Sequence, residues 1–192
     1  MPTGGGTFTT QNKILPGAYI NFVALGSVPK VGARGVAALP LELDWGPENR
    51  VFALEAAEFN QVAMKVLGHD PMATELLLIR EAMKRAKTLL VYRVNSGGQK
   101  ATASVGGMTV TATWGGTRGN ALSVAILANA DDTANVDVVT YLDGAAVDTQ
   151  KVAKSAGTAG LKANDYVSFG TAAALSVAVE AALTGGTNGT VN

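Results

Sequence analysis

His69 is the only histidine in the chain and cysteine is absent, so few side chains are available for chemistry. A histidine works as a general base when a carboxylate orients it, and Asp70 follows it directly in LGHDP. Neighbours in a turn rarely form such a pair, and His-Asp-Pro between two apolar runs is turn chemistry. The two residues therefore read as a capping turn. One histidine without a thiolate cannot assemble the common zinc sites. LDWGPENR places Asp44 and Glu48 beside Trp45, which invites the two-carboxylate logic of a glycosidase. No sugar-binding aromatics accompany them, and Gly46-Pro47 makes a turn that closes a strand. Asp44, Glu48 and Arg50 then read as surface charges or as an ion pair between subunits.

The loop motifs give the same answer. NADDTANVD gathers Asp131, Asp132 and Asp137, without the alternating spacing and closing Glu of a calcium loop. GGTRGN lacks the Gly-Lys-Ser/Thr ending of a phosphate loop and lies between two β patterns. It reads as a hairpin loop with Arg118 at its tip, a candidate contact for a partner. No catalytic, metal or cofactor-binding residue is expected, and no cofactor.

The elements around these residues change character midway. AYINFV and GVAALPLEL are strand patterns, the second carrying Pro40, which favours an edge or a bulge. Phe59, Val62, Ala63, Val66 and Leu67 fall at helical spacing. After GHDP, Asp70 can cap a second helix with Pro71 at its first position. Its apolar stripe would be Met72, Leu76, Ile79, Met83 and Ala86. TLLVYRV follows as a buried strand, and a strand, two helices and a strand suggest a crossover onto a parallel or mixed sheet. Beyond NSGGQK the periodicity becomes that of strands. MTVTATW alternates, ALSVAILAN puts Leu122, Val124 and Ile126 on one face, and DYVSF is a further strand. VDVVTYLDGAAVDTQKV is a hairpin turning at Asp143-Gly144. ALSVAVEAAL alternates at Leu175, Val177, Val179, Ala181 and Leu183 while its alanines favour helix; the alternation is taken as the stronger signal. The expected class is α+β: an α/β core portion, a sheet with two helices, followed by an antiparallel β-rich domain, a small sandwich or an open barrel.

Composition bounds the partners. The 192 residues, 47% of them hydrophobic, suit a folded protein with a real core. Lys+Arg and Asp+Glu both number 15, giving a formal net charge of zero. That argues against a nucleic-acid partner, which would ask for a basic excess. No run approaches membrane-spanning length, so no membrane insertion is expected, and nothing matches a signal peptide. The absence of cysteine suits synthesis in a reducing cytoplasm.

The chain opens MPTGGGTFTTQNKILPGAYINF. Gly4, Gly5 and Gly6 form a hinge. Thr7, Phe8, Thr9 and Thr10 favour extended backbone but offer one large apolar side chain. Such a run reads either as a terminus with no fixed place or as an arm seeking a sheet edge.

Several stretches together, GGGTFTTQNKILPGAYINF, RGVAALPLELDWGPE, TLLVYRVNSGGQKATAS, WGGTRGNALSV and LTGGTNG, resemble contractile tail sheath proteins of bacteriophages, defective prophages and related phage-tail-like bacteriocins. The resemblance runs in order along nearly the whole chain. It implies a structural subunit that stacks in rings around an inner tube, joins its neighbours by exchanging strands, and contracts to drive the tube through an envelope. It also implies partners, namely other sheath subunits in a homo-oligomer and the tail tube protein, and a place in a virion tail or phage-tail-like particle assembled in the bacterial cytoplasm. On this pattern residues 1–17 are an extended N-terminal arm and residues 18–97 an α/β portion of a core domain that a C-terminal segment completes. Residues 98–186 are an inserted β-rich domain, and residues 187–192 a linker returning to the core. The arm contacts would be Thr7, Phe8, Thr9, Thr10 and Ile14, with Gly4, Gly5, Gly6, Pro16 and Gly17 as its hinges. The competing readings are a carbohydrate- or receptor-binding module of a phage particle, which needs an exposed aromatic platform, and a hydrolase at Asp44 and Glu48.

Overall fold

The structure, a computed structural model, describes residues 35–191. The arm residues, their hinges and the strand expected at AYINFV lie outside the described residues.

The first portion is a three-stranded sheet with two helices on one face. Strand β1 (Val36–Leu41) is parallel to β3 (Thr88–Arg93), and β2 (Val51–Glu55) is antiparallel to it, in the order β1-β3-β2. The sheet is thus mixed. Pro40, which has no N–H to donate, sits on an edge strand of the described sheet. Strand β2 was not anticipated from the sequence, where LDWGPENR hides its start; Asn49 turns the chain into it with φ 55°.

Helix α1 (Phe59–Leu67) buries Phe59, Ala63 and Leu67 against the sheet, the i, i+4, i+8 stripe that the spacing promised. The second helix starts later than expected. Asp70 Oδ1 accepts from Met72 N at 2.8 Å and closes a local turn in place of a helix cap. Ala73 is then extended, with ψ 150°, so α2 spans only Leu77–Met83 after a single 3-10 turn at Thr74–Leu76. Arg80 donates to the carbonyls of Pro71 and Ala73 and holds that turn in place. Leu76, Ile79 and Ala86 are buried as expected, while Met72, upstream of the break, is 69% exposed.

The second portion is a β-sandwich. One sheet has the order β10-β6-β5, built from β5 (Thr102–Val105), β6 (Met108–Ala112) and β10 (Val167–Phe169). The other has the order β11-β7-β8-β9, from β7 (Leu122–Ala128), β8 (Asn135–Leu142), β9 (Ala145–Ala153) and β11 (Ala178–Ala182). All pairings in both are antiparallel. Met108, Val110 and Ala112 of one sheet pack with Leu122, Val124, Ile126, Val136 and Val138 of the other in a single core. The β8–β9 hairpin turns at Asp143 and Gly144 with φ 53° and 76°, the positive values a two-residue primed turn demands. Strand β11 corrects one expectation. Only Ala178–Ala182 is strand, and its register slips between Ala178 and Ala181, leaving Val179 87% exposed; Leu175 and Leu183 lie outside the strand and are buried, and Val177, just before it, is 54% exposed.

A short antiparallel pair, β4 (Asn95–Ser96) with β12 (Thr190–Val191), marks where the chain leaves the first portion and comes back. The two hydrophobic cores are separate, except that Met64 of α1 packs against the sandwich core and one fully buried residue crosses into it. Trp45 belongs by sequence to the first portion, yet it is 1% exposed within the sandwich core. Replacing Trp45 by Ala should cost about 3–5 kcal/mol of unfolding free energy, the usual range for emptying an aromatic site. Val179→Ser should stay within about 0.5 kcal/mol because that side chain faces solvent. Urea denaturation of both variants checks the contrast.

Candidate functional site

The polar residues that the sequence singles out converge between the two portions. Strand β3 alternates inward at Leu89 and Val91, and the next inward position is Arg93. Its side chain is 0% exposed. Nη1 donates to Gly115 O at 2.8 Å and to Gly46 O at 3.1 Å, and Nη2 to Asn188 O at 3.4 Å. Glu48 Oε1 lies 3.4 Å from Nη1, and Arg93 Nε has no hydrogen-bond partner among the described residues. Burial pushes the guanidinium below its ordinary pKa, while the Glu48 and Asp44 carboxylates pull it back up.

Asn95 continues the junction. Its side chain donates to Leu43 O at 2.8 Å and to Asn188 O at 2.6 Å, and accepts from Leu43 N at 2.9 Å. One amide therefore ties three chain segments. Glu48 accepts from Gly97 N at 3.3 Å through its second oxygen. Asp44 Oδ1 lies 2.8 Å from His69 Nε2. The histidine's carboxylate partner is thus Asp44, 25 residues away, and not the adjacent Asp70. Asp44 and Glu48 are each committed to an internal partner, which corrects their reading as surface charges or as one end of an inter-subunit pair.

Arg118 is also displaced from its expected place. It sits in a 3-10 turn, Thr117–Ala121, and its side chain is only 13% exposed. Nε donates to Gly68 O at 2.5 Å, at the end of α1, and the guanidinium forms a two-pronged pair with Asp143 of the hairpin turn. That geometry is charge-assisted on both prongs. The Arg118 hydrogen bond holds the Asp143 carboxyl below the usual range.

Two hollows flank the junction. One, of about 330 Å³, is lined by Glu42, Asp44, His69, Glu75, Asn95 and Asn188 among others. Its lining offers no hydroxyl, thiol or amine side chain beside the His69–Asp44 pair. The second, about 360 Å³, lies between α1 and the sandwich and includes Phe52, Trp114, Asn164 and Asp165. Arg50 lies 5.5 Å over the Trp114 ring, and Lys65 pairs with Asp165 at 3.2 Å. In the acidic loop Asn129 Oδ1 accepts from the backbone of Asp131 and Asp132, and Asp132 Oδ1 accepts from Ala134 N. These carboxylates and amides serve a turn.

Two family models match in succession. "Tail sheath protein Gp18 domain III N-terminal region" matches residues 34–94, and "Phage tail sheath protein beta-sandwich domain" matches residues 96–188. The chain belongs to the phage tail sheath family. Among its relatives, the phage-like element PBSX protein XkdK of Bacillus subtilis (strain 168) is 37% identical over 167 residues, covering 86% of this chain and 34% of that protein. The uncharacterized protein YqbK of the same strain is 39% identical over 168 residues, with the same coverage of both chains. The crystal structure of a sheath tail protein from Desulfitobacterium hafniense superimposes with a TM-score of 0.76 at 44% identity, over 92% of this chain and 40% of that one. The sheath tail protein Lin1278 from Listeria innocua gives 0.70 at 38% identity, over 82% and 35%. The chain therefore spans about a third of the curated relatives and up to 40% of these solved sheath proteins.

Within this family member the Arg118–Asp143 pair makes stability pH-dependent. A carboxyl whose folded pKa lies below its unfolded value contributes fully above the ordinary carboxylate range. The contribution is lost as pH falls through the depressed folded value. Asp143→Asn should leave the acid end of a melting-temperature profile nearly unchanged and lower its neutral part by the small amount a largely exposed carboxylate contributes, so that the acid limb flattens. Arg118→Ala should lower the neutral melting temperature more, since it also removes the bond to Gly68 O.

Proposed function

We propose that the chain is the N-terminal portion of a structural, non-enzymatic subunit of a contractile tail sheath. The subunit surrounds an inner tube and contracts to drive it through an envelope, in a phage tail, a defective prophage or a phage-tail-like bacteriocin particle put together in the bacterial cytoplasm. The observation that carries this reading is the ordered match of two sheath domains along one chain. A feature of the fold supports it. The helices cover one face of the first sheet, and the other face carries exposed Val36, Ala38, Pro40, Val51, Ala53 and Tyr92, with Leu90 half-buried. By register Pro40, Tyr92 and Val51 form one row and Ala38, Leu90 and Ala53 the next. The third row, Val36, Thr88 and Glu55, is partly polar, and the two apolar rows ask for a further layer. In the reading offered here, residues of the longer protein that follow the sandwich supply that layer and complete the core domain.

Assembly would run through the arm. A strand added to a neighbour's sheet draws its affinity from backbone pairing. About four such bonds at roughly 1 kcal/mol net each give some 4 kcal/mol before ordering costs. That is weak singly and strong when repeated through a lattice. Phe8 would anchor it, at roughly 1.5–3 kcal/mol on burial. The rival carbohydrate-binding reading needs an open aromatic face, and Arg50 already lies over Trp114.

The test is tube formation by the full-length protein under the electron microscope. Deleting the residues before Pro16 should abolish tubes while leaving the melting temperature of the subunit nearly unchanged, and Phe8→Ala should weaken assembly in the same selective way. Intact tubes from the deletion variant would remove strand exchange by the arm from the account.

A further inference from the structure

NSGGQK and LTGGTNG look like two flexible linkers, one leaving the α/β portion and one returning. The contacts between them are of a different kind. Gln99 N donates to the Thr187 hydroxyl at 2.9 Å and Thr187 N to Gln99 O at 3.1 Å, while Thr117 N, from inside the sandwich, donates to the Asn188 side chain at 2.8 Å. A Cβ on Gly98 would lie 2.2 Å from Thr187 O, and one on Gly189 2.1 Å from Ser96 O. Two backbones run too close for any side chain between them, so these glycines serve close approach. The buried Arg93 guanidinium joins three segments, reaching Gly46 before the sandwich, Gly115 inside it and Asn188 after it.

We propose that Arg93 is the pin of a clasp that fixes the β-sandwich to the α/β portion, so that the two move as one rigid body. Inserted domains on paired linkers ordinarily move relative to their host unless the interface is large and apolar. Here Trp45 supplies apolar burial, and beside it the junction holds a charge with no access to water. Any rotation of the sandwich draws Gly115 O or Asn188 O away and leaves that buried charge short of acceptors, with only Gly46 O and Glu48 still beside it. Nothing in the local sequence of either linker signals this, because the pin lies upstream of both. The proposal concerns the chain itself and stands whether or not it assembles.

The absence of cysteine permits a clean experiment. Lys84→Cys beside α2 and Lys151→Cys on β9, both exposed, give two unique spin-label sites, one on each portion. In the otherwise unaltered 192-residue chain, pulsed electron–electron resonance should return a single narrow distance distribution. Arg93→Met, which keeps the volume and removes the donors, should broaden it roughly twofold, the behaviour of domains free to move. Amide spectra of β8–β9 and of α1–α2 should stay native, showing that each portion is folded. Arg93→Lys should fall between, since it keeps the charge but cannot fork. A broad distribution in the parent, or an unchanged narrow one in Arg93→Met, overturns the proposal. Should Arg93→Met fail to fold, Glu48→Gln leaves Arg93 and its backbone acceptors in place and removes one counter-charge. Broadening in that variant supports the clasp, and an unchanged width overturns it.

Discussion

A guanidinium without access to water constrains everything placed around it. Removing a charge of this size from solvent costs several kcal/mol even after relaxation, and fixed acceptors must offset it. Arg93 finds them in carbonyls of Gly46, Gly115 and Asn188, with Glu48 as counter-charge. Those groups belong to three chain segments, and the one guanidinium touches all three. The junction is therefore specified by chemistry and not by area: a different arrangement of the segments would bury the same charge without partners.

Magnitudes separate this contact from the others that cross between the portions. Lys65–Asp165 joins side chains that are 58% and 55% exposed, and such pairs are worth about 0–1 kcal/mol. Breaking a buried, hydrogen-bonded charge pair costs about 3–5 kcal/mol. Trp45 adds apolar burial of comparable size from the same loop that supplies Gly46 O and Glu48. One loop thus delivers both an anchor into the sandwich core and an acceptor to the pin. The Asp44–His69 pair, a catalytic arrangement on paper, braces that loop against the end of α1.

What could be read from the sequence follows the range of the interactions. Helix α1, the alternating β6 and the β8–β9 hairpin depend on periodicity and turn residues within a few positions, and these were legible. The partners of His69 and Arg118 were not, because the nearest acid in sequence is not the nearest in space. Arg93 and Asn188 are 95 residues apart, a distance at which no local pattern speaks. One signal for the pin was nevertheless present. In TLLVYRV, Leu89, Val91 and Arg93 fall on the same side of a strand flanked by apolar residues, so the alternation that buries the first two must bury the third. An arginine forced inward by period-two patterning is a request for acceptors, and that request could have been made of the Gly-rich segments. The slip in β11 had no such signal, since a bulge changes the facing of Val179 without changing composition.

The two faces of the β1-β3-β2 sheet show what kind of completion each part of the structure requires. Where β3 ends, polar groups meet polar groups and nearly every donor is used, so that side is closed. The outward face is of the opposite kind: rows built from Pro40, Tyr92 and Val51 and from Ala38, Leu90 and Ala53 offer area and almost no hydrogen-bonding direction. Apolar area is indifferent to the exact register of what covers it, whereas a buried guanidinium is not. A layer laid on this face would therefore gain stability from burial, while its orientation relative to the sandwich would already be set by the clasp on the other side of β3. Specificity and adhesion are thereby assigned to different surfaces of one strand, with Arg93 pointing one way and Tyr92 the other.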